Sequence, residues 1–258
     1  CGIFSGDSFK YLVKRRLQPR LPMHGHQTLR EYYRFLQYSD AAERVLDVVV
    51  QRITTHETYF FRESYQLKAF TDEVLPDIMA QRELGSRVRI WSAGCSTGEE
   101  PYTISMLLND LPAAKGFRFE IFGNDISRKV LKHAREGVFR ESSFRQTEPS
   151  YIERYFRSEA RNAYRLRQDV KDRVTFGHLN LMDESAMALI GSVDIIFCRN
   201  VIIYFSPESR HRLISMFHRK LRPGGYLLLG HSESLVNLST DFELVPLKND
   251  IVYRKPGL

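Results

Sequence analysis

Apolar positions change their period twice along the chain. In residues 8–17, Phe9, Leu12, Val13 and Leu17 share one helical stripe, with Lys10, Lys14 and Arg15 away from it. Pro19 and Pro22 end that helix. Thr28 and Glu31 make a capping box for a second helix through Leu29, Tyr32 and Leu36. Asp40 and Glu43 cap a third that carries Leu46, Val49, Val50 and Ile53. The chain up to about residue 55 therefore reads as a small all-helical unit. A stretch of buried aromatics flanked by polar residues follows, 54–63, and reads as a crossing between domains with Arg62 facing a ligand. A helix over 65–74, a stop at Pro76 and a short helix to Leu84 complete this part.

From Val88 the period alternates between strand and helix, the signature of a mainly parallel sheet. The order is strand 88–92, helix 99–109, strand 118–124 and helix 127–136. After Gly137 the pattern breaks into a short helix at 151–156 and strands at 164–167 and 173–176. The main sheet resumes with a strand into Asn180-Leu181, then strand 193–198, a long helix from Pro207 to Leu221 and strand 226–230. Strands 242–246 and 251–253 form an antiparallel pair at one sheet edge. The expected fold is α/β: a doubly wound, Rossmann-like domain with a small inserted β-subdomain, preceded by a small all-α domain. We place the helical domain and linker at 1–72, the α/β domain at 73–258 and the insertion at about 138–173.

Composition narrows the class. The chain has 258 residues, 43% apolar and 27% charged, which suits a globular protein with a real core. No apolar run approaches the ~18 residues of a membrane span, and no signal peptide is visible. Cys1 in place of Met reads as a trimmed or processed start. Three cysteines, Cys1, Cys95 and Cys198, give no disulfide framework and fit a reducing cytoplasm. The net charge is +7, and residues 1–36 supply +5 of it: seven lysines and arginines against Asp7 and Glu31. Such a basic module suits an acidic partner, though a charge run is more often a solvated helix face.

Candidate chemistry gathers where strands end, as it does in doubly wound sheets. Strand 88–92 leads into Gly94 to Gly98 and a helix opening on Glu99 and Glu100. Neither G-x-x-x-x-G-K-[ST] nor G-x-G-x-x-G is present, and two acids in the first turn would repel a pyrophosphate. They suit a cationic ligand, such as the amine and sulfonium of S-adenosylmethionine, although acids there also complement the helix dipole. The second strand ends Gly123-Asn124-Asp125, an acid fit to bind a ribose diol or simply to cap the next helix. Asn180-Leu181 can read and cover an adenine. Cys198-Arg199-Asn200, followed by Ile203-Tyr204-Phe205, marks the place for the reacting group of a substrate. His231 and Glu233 follow the next strand and could line the same pocket. H-E-x-x-H, Cys/His metal spacing and G-x-S-x-G are all absent, so no metal is expected. A nucleic-acid methyltransferase and a degenerate module that only senses S-adenosylmethionine stay open as rivals. The sequence R-N-V-I-I-Y in place of an N-P-P-Y-like element speaks against the first, and the intact Glu99-Glu100, Asp125 and Tyr204 against the second.

These stretches together resemble a known family. T-x-x-E-T-Y-F-F-R-E, W-S-A-G-C-S-T-G-E-E-P-Y, N-D-I, F-C-R-N-V-I-I-Y-F, L-R-P-G-G and L-G-H-S-E-S are similar to the bacterial chemoreceptor glutamate methyltransferases of the CheR family, over essentially the whole chain. The resemblance implies transfer of the S-adenosylmethionine methyl to glutamates on the cytoplasmic helical region of chemoreceptors, leaving γ-methyl esters and S-adenosylhomocysteine. It implies that Thr58, Arg62, Glu100, Asp125, Asn180, Leu181, Arg199 and Asn200 surround the cofactor, and that Arg199 and Tyr204 lie towards the methyl acceptor as catalytic residues. His56, where the family often has Asn, is carried over as a further cofactor contact. Basic helix 8–17 would meet the receptor. Residues 155–162 lack the glycine found in members that dock a receptor's C-terminal pentapeptide, so no such docking is expected, and no nucleic-acid partner either.

Overall fold

A computed structural model describes residues 2, 11, 14–38, 49 and 57–257. His56, the third N-terminal helix apart from Val49, and most of the 8–13 segment lie outside those residues. Residues 14–17 are helical, and the helix gives way at Gln18–Arg20 and Pro22–His24 to 3-10 turns, each opened by a proline whose missing N–H costs nothing there. Helix α1 (Leu29–Tyr38) starts on the expected capping box. Glu31 N–H donates to Thr28 Oγ1 at 3.2 Å, and Glu31 Oε2 accepts from Gln27 N–H at 2.8 Å and Thr28 N–H at 3.3 Å. Leu17, Leu21, Tyr32 and Val49 bury themselves together beneath it.

The second helical stretch differs from expectation. It runs without a stop through α2 (Ser64–Ala69), a π-helical turn (Phe70–Val74) and α3 (Leu75–Ala80). The π turn resets the hydrogen-bond register, so Pro76 falls in the first turn of α3, where its N–H is not required.

The main sheet contains β1 (Arg87–Ala93), β2 (Arg118–Asp125), β6 (Val174–His178), β7 (Val193–Cys198), β8 (Leu221–Leu229), β9 (Glu243–Pro246) and β10 (Ile251–Arg254), in the order β6-β2-β1-β7-β8-β10-β9. The strands from β6 to β8 are parallel, and β10 is antiparallel to both its neighbours. Helices α4 (Glu99–Asp110), α5 (Arg128–Glu136), α6 (Pro149–Tyr155), α7 (Gln168–Lys171), α8 (Glu184–Ala188) and α9 (Pro207–Lys220) connect them. The alternation of side chains along β1 and β7 sorts the core into two faces. Val88, Ile90, Ile195 and Phe197 pack on one side; Trp91, Ala93, Ile196 and Cys198 pack on the other, where Trp91 meets Phe217 edge-on at 5.2 Å. From β1 the chain goes outward to β2 and β6, then returns to place β7 on β1's other side. The topological switch point thus lies between the ends of β1 and β7, where α/β sheets open a crevice.

Between α5 and β6 sits a separate antiparallel sheet, β3 (Val138–Arg140), β5 (Ala163–Leu166) and β4 (Phe156–Glu159), in the order β3-β5-β4. Sequence reading recovers β5 but not β3 or β4, because strands this short carry too few alternations to register. The turn joining β4 to β5 holds Arg161 and Asn162 at φ 64° and 56°. Two left-handed residues close the hairpin without a glycine.

Candidate active site

The crevice at the switch point is a cavity whose floor is made by strand ends and whose roof is residues 57–62. Asn124 organises the floor. Its Oδ1 accepts from Trp91 Nε1 (2.7 Å), its Nδ2 donates to Leu179 O (3.2 Å), and its carbonyl accepts from both Gly94 N–H and Cys95 N–H (2.9 and 2.8 Å). One buried residue therefore fixes the ends of β1, β2 and the chain beyond β6 relative to one another. The turn after β1 needs its glycines. Gly94 has φ 80°, and a Cβ there would stand 2.6 Å from Val201 Cγ2; Gly98 has φ 93°, and its Cβ would meet Ala134 at 2.9 Å.

The two adjacent acids have different roles. Glu99 is 2% exposed and does not line the cavity. Its carboxylate accepts from the hydroxyls of Thr97 (2.6 Å) and Ser143 (3.0 Å), and burial pushes its carboxyl up. Glu100 does line the cavity, accepting from Ser92 Oγ at 2.7 Å and from Arg199 Nη1 at 3.2 Å. Asp125 also faces the cavity, where its Oδ2 accepts from Ser96 N–H and its Oδ1 from Ser127 N–H. Asn180 and Leu181 line the adjoining wall, with Asn180 Oδ1 held by Met182 N–H at 3.0 Å. Thr58, Arg62, Arg199, Asn200 and Tyr204 complete the set implied by the family resemblance, and each member of that set that the structure describes borders one space.

Arg199, expected towards the methyl acceptor where it could hold one carboxylate oxygen, has a side chain only 3% exposed. Nη1 is engaged by Glu100, and Nη2 donates to Glu63 Oε2 (3.1 Å) and to the Arg62 carbonyl. Both terminal nitrogens are thereby engaged. Arg62 is the less committed cation: its Nη1 donates to Glu57 O at 2.6 Å, and it stands half-buried on the cavity roof. Tyr204 is 39% exposed at the same opening.

Two acids were missed or misplaced. Glu63, at φ 54°, joins Arg199 and also accepts from Asn200 Nδ2 (3.3 Å). Burial pushes its carboxyl up, but the charge of Arg199 and the Asn200 amide outweigh this and hold it below its ordinary value. Its signal in the sequence was only its place after Arg62. Glu233 does not line the cavity as expected. It lies beneath the 199–203 loop, where its carboxylate accepts backbone N–H bonds from Gly230, Asn200, Val201 and Ile203 at 2.7–3.2 Å. His231 is exposed and 3.4 Å from Glu63.

The roof is anchored in the small sheet. Phe60 N–H donates to Ser143 O at 2.9 Å, and the Phe60 ring packs against Phe139, Phe144 and Phe156. Arg145 covers the ring of Tyr59 and bonds Glu57.

The donors present fit S-adenosylmethionine. A carboxylate for an amine, a second carboxylate for a diol, an amide beside an apolar wall, and the buried, unpartnered Ser96 Oγ match its parts, and no phosphate is called for. Among the described residues no cluster of histidine, cysteine and acids could hold a metal, and no helix is long and apolar enough to cross a membrane.

Comparison with known proteins agrees. Residues 56–251 match the family model described as CheR methyltransferase, SAM binding domain, and residues 1–54 match CheR methyltransferase, all-alpha domain. Chemotaxis protein methyltransferase 2 of Vibrio cholerae is 38% identical over 99% of this chain and 88% of its own length. Chemotaxis protein methyltransferase 1 of Pseudomonas aeruginosa is 35% identical over 98% and 93%, and the chemotaxis protein methyltransferase of Borreliella burgdorferi 36% over 91% and 83%. Among solved structures, a Synechocystis magnesium protoporphyrin IX methyltransferase with bound SAM aligns over 98% of this chain and 97% of its own at 15% identity, with a TM-score of 0.39 that adds nothing to the assignment. The chain belongs to the CheR family of S-adenosylmethionine-dependent methyltransferases.

Proposed function

We propose that the chain methylates glutamate side chains on the cytoplasmic helical region of chemoreceptors, giving γ-methyl esters and S-adenosylhomocysteine. The observation that carries this reading is the make-up of the cavity's opening, where Arg62 and Tyr204 offer a cation and a hydroxyl suited to a carboxylate acceptor. A carboxylate acceptor needs no base, because glutamate, with pKa near ~4.3, is ionised at neutral pH. The chain's work is then to hold and orient two reactants. When bound, S-adenosylmethionine supplies an electrophilic methyl on a sulfonium. Glu100 would take its amino group, Asp125 its ribose diol, and Asn180 with Leu181 its adenine. Thr58 and Asn200 close the sides, and His56 is a further contact carried by the family resemblance alone. Arg62 is the cation suited to one oxygen of the acceptor carboxylate, and Tyr204 shapes the approach. Arg199 acts through Glu63 and Glu100 as a positioning residue.

Lys14 and Arg15, both exposed on the helix that buries Leu17, are suited to an acidic receptor surface. The glycine-free turn at Arg161 and Asn162 supports an enzyme that works without docking a receptor pentapeptide. Calorimetry showing micromolar binding of such a peptide would remove that feature. A cytoplasmic location follows from the proposed substrate region.

The test uses a radioactive methyl donor with receptor fragments and RNA, followed by alkali. Label on protein that alkali releases is the expected result. Alkali-stable label on RNA, or no label, would overturn it.

A further inference from the structure

The strand that ends at Asp125 begins at Arg118, and its far end borders a second recess. Seven steps of ~3.3 Å put Arg118 about 23 Å from Asp125, so this recess is separate from the cofactor cavity. Lys115, Arg118, Arg154, Arg167 and Arg173 surround it, with Phe117 and Phe119 in its wall. Two of these cations are compensated. Arg154 Nη1 meets Asp110 Oδ2 at 2.8 Å, and Arg167 meets both oxygens of Asp169 at 3.0 and 3.1 Å. The carboxyl end of α4, at Leu108 and Asn109, adds roughly half a negative charge. The side chains of Lys115, Arg118 and Arg173 have no hydrogen-bond or ion-pair partner among the described residues.

Three unpaired cations facing one recess repel one another, and a ligand bringing several negative charges relieves that repulsion. Guanidinium forks match phosphate oxygens bidentately. The Phe117 and Phe119 rings, half-buried with centroids 6.4 Å apart, offer an apolar wall for a planar base. A recess, unlike an open basic stripe, suits a small ligand better than a strand of nucleic acid. From this geometry we propose that the recess binds a nucleotide, its phosphates held by Lys115, Arg118 and Arg173 and its base against Phe117 and Phe119.

The test uses the full chain saturated with S-adenosylhomocysteine, so that the adenosine site is closed to the probe. Calorimetric titration with GTP should show one site, while guanosine at the same concentration gives no heat. The Lys115→Gln/Arg118→Gln/Arg173→Gln variant should weaken GTP at least about tenfold and leave S-adenosylhomocysteine affinity within about twofold, the second measurement showing that the variant is folded. Absence of GTP binding by the native chain at millimolar concentration would overturn the proposal. So would equal binding by the variant, or binding of a short RNA or an acidic peptide where GTP fails.

Discussion

The Arg145 guanidinium lies over the Tyr59 ring, 3.8 Å from its centroid, and its Nη2 reaches Glu57 Oε1 at 2.6 Å. Arg145 belongs to the small-sheet insertion, and Tyr59 to the roof of the cofactor cavity. An exposed cation–π contact and an exposed ion pair contribute about 0.5–1 kcal/mol each at most. Arg145→Ala should therefore shift the melting temperature only slightly. Its effect should fall on the roof: S-adenosylhomocysteine affinity drops several-fold by calorimetry. Unchanged affinity would separate the insertion from the cofactor site.

Arg62 and Arg199 should behave differently when replaced. Arg62→Ala should lower kcat more than it changes S-adenosylhomocysteine affinity. Arg199→Ala leaves Glu63 and Glu100 facing each other without their shared cation, and breaking a buried pair in this way costs about 3–5 kcal/mol. A lower melting temperature and weaker cofactor binding should appear together. If Arg199→Ala lost turnover alone, at full stability and affinity, the gripping role would return to Arg199.

Glu233 holds the 199–203 loop by three backbone N–H bonds and accepts a fourth from Gly230. Glu233→Gln turns an amide NH2 towards those donors, and each unsatisfied buried donor costs about 1–3 kcal/mol. Reduced stability with faster proteolysis around residues 199–203 is expected. Burial pushes the Glu233 carboxyl up despite those bonds. Protonation is thus easier in the folded chain, and this group's contribution favours folding below the unfolded pKa and is lost as pH rises through the folded one.

Glu63 has the opposite sign. Its carboxyl is held below the ordinary 4.5, burial's upward push being outweighed chiefly by Arg199. Its contribution is complete above the unfolded value and is lost as pH falls through the folded one. Glu63→Gln should flatten the acid limb of the stability-versus-pH curve. An unchanged limb would show that the pair with Arg199 carries no linkage.

The strand ends were legible because each combines a buried apolar run with an abrupt polar residue: Asp125 after Phe122, Arg199 after Phe197-Cys198. Proximity was legible there, but engagement was not. Arg199 reads the same in sequence whether its guanidinium is open or enclosed, and only Glu63, brought in from a different element, decides. Pro76 misled for a related reason, since nothing local announces a π turn that absorbs it. Glu233 carried the right residue type at the right strand end, yet its carboxylate turned to backbone donors that sequence cannot place.

Asn124 has a kinetic consequence. The floor of the cavity is knotted by buried hydrogen bonds from a single residue, whereas the outer edge of the roof, residues 57–59, is clasped by a solvent-exposed pair. Exchange of spent S-adenosylhomocysteine for fresh donor is then expected to open the roof at residues 57–59, while buried Phe60 and the strand ends stay still. Arg145→Ala is accordingly expected to release S-adenosylhomocysteine faster, which would put the resetting of the enzyme under a side chain that need never touch the methyl group.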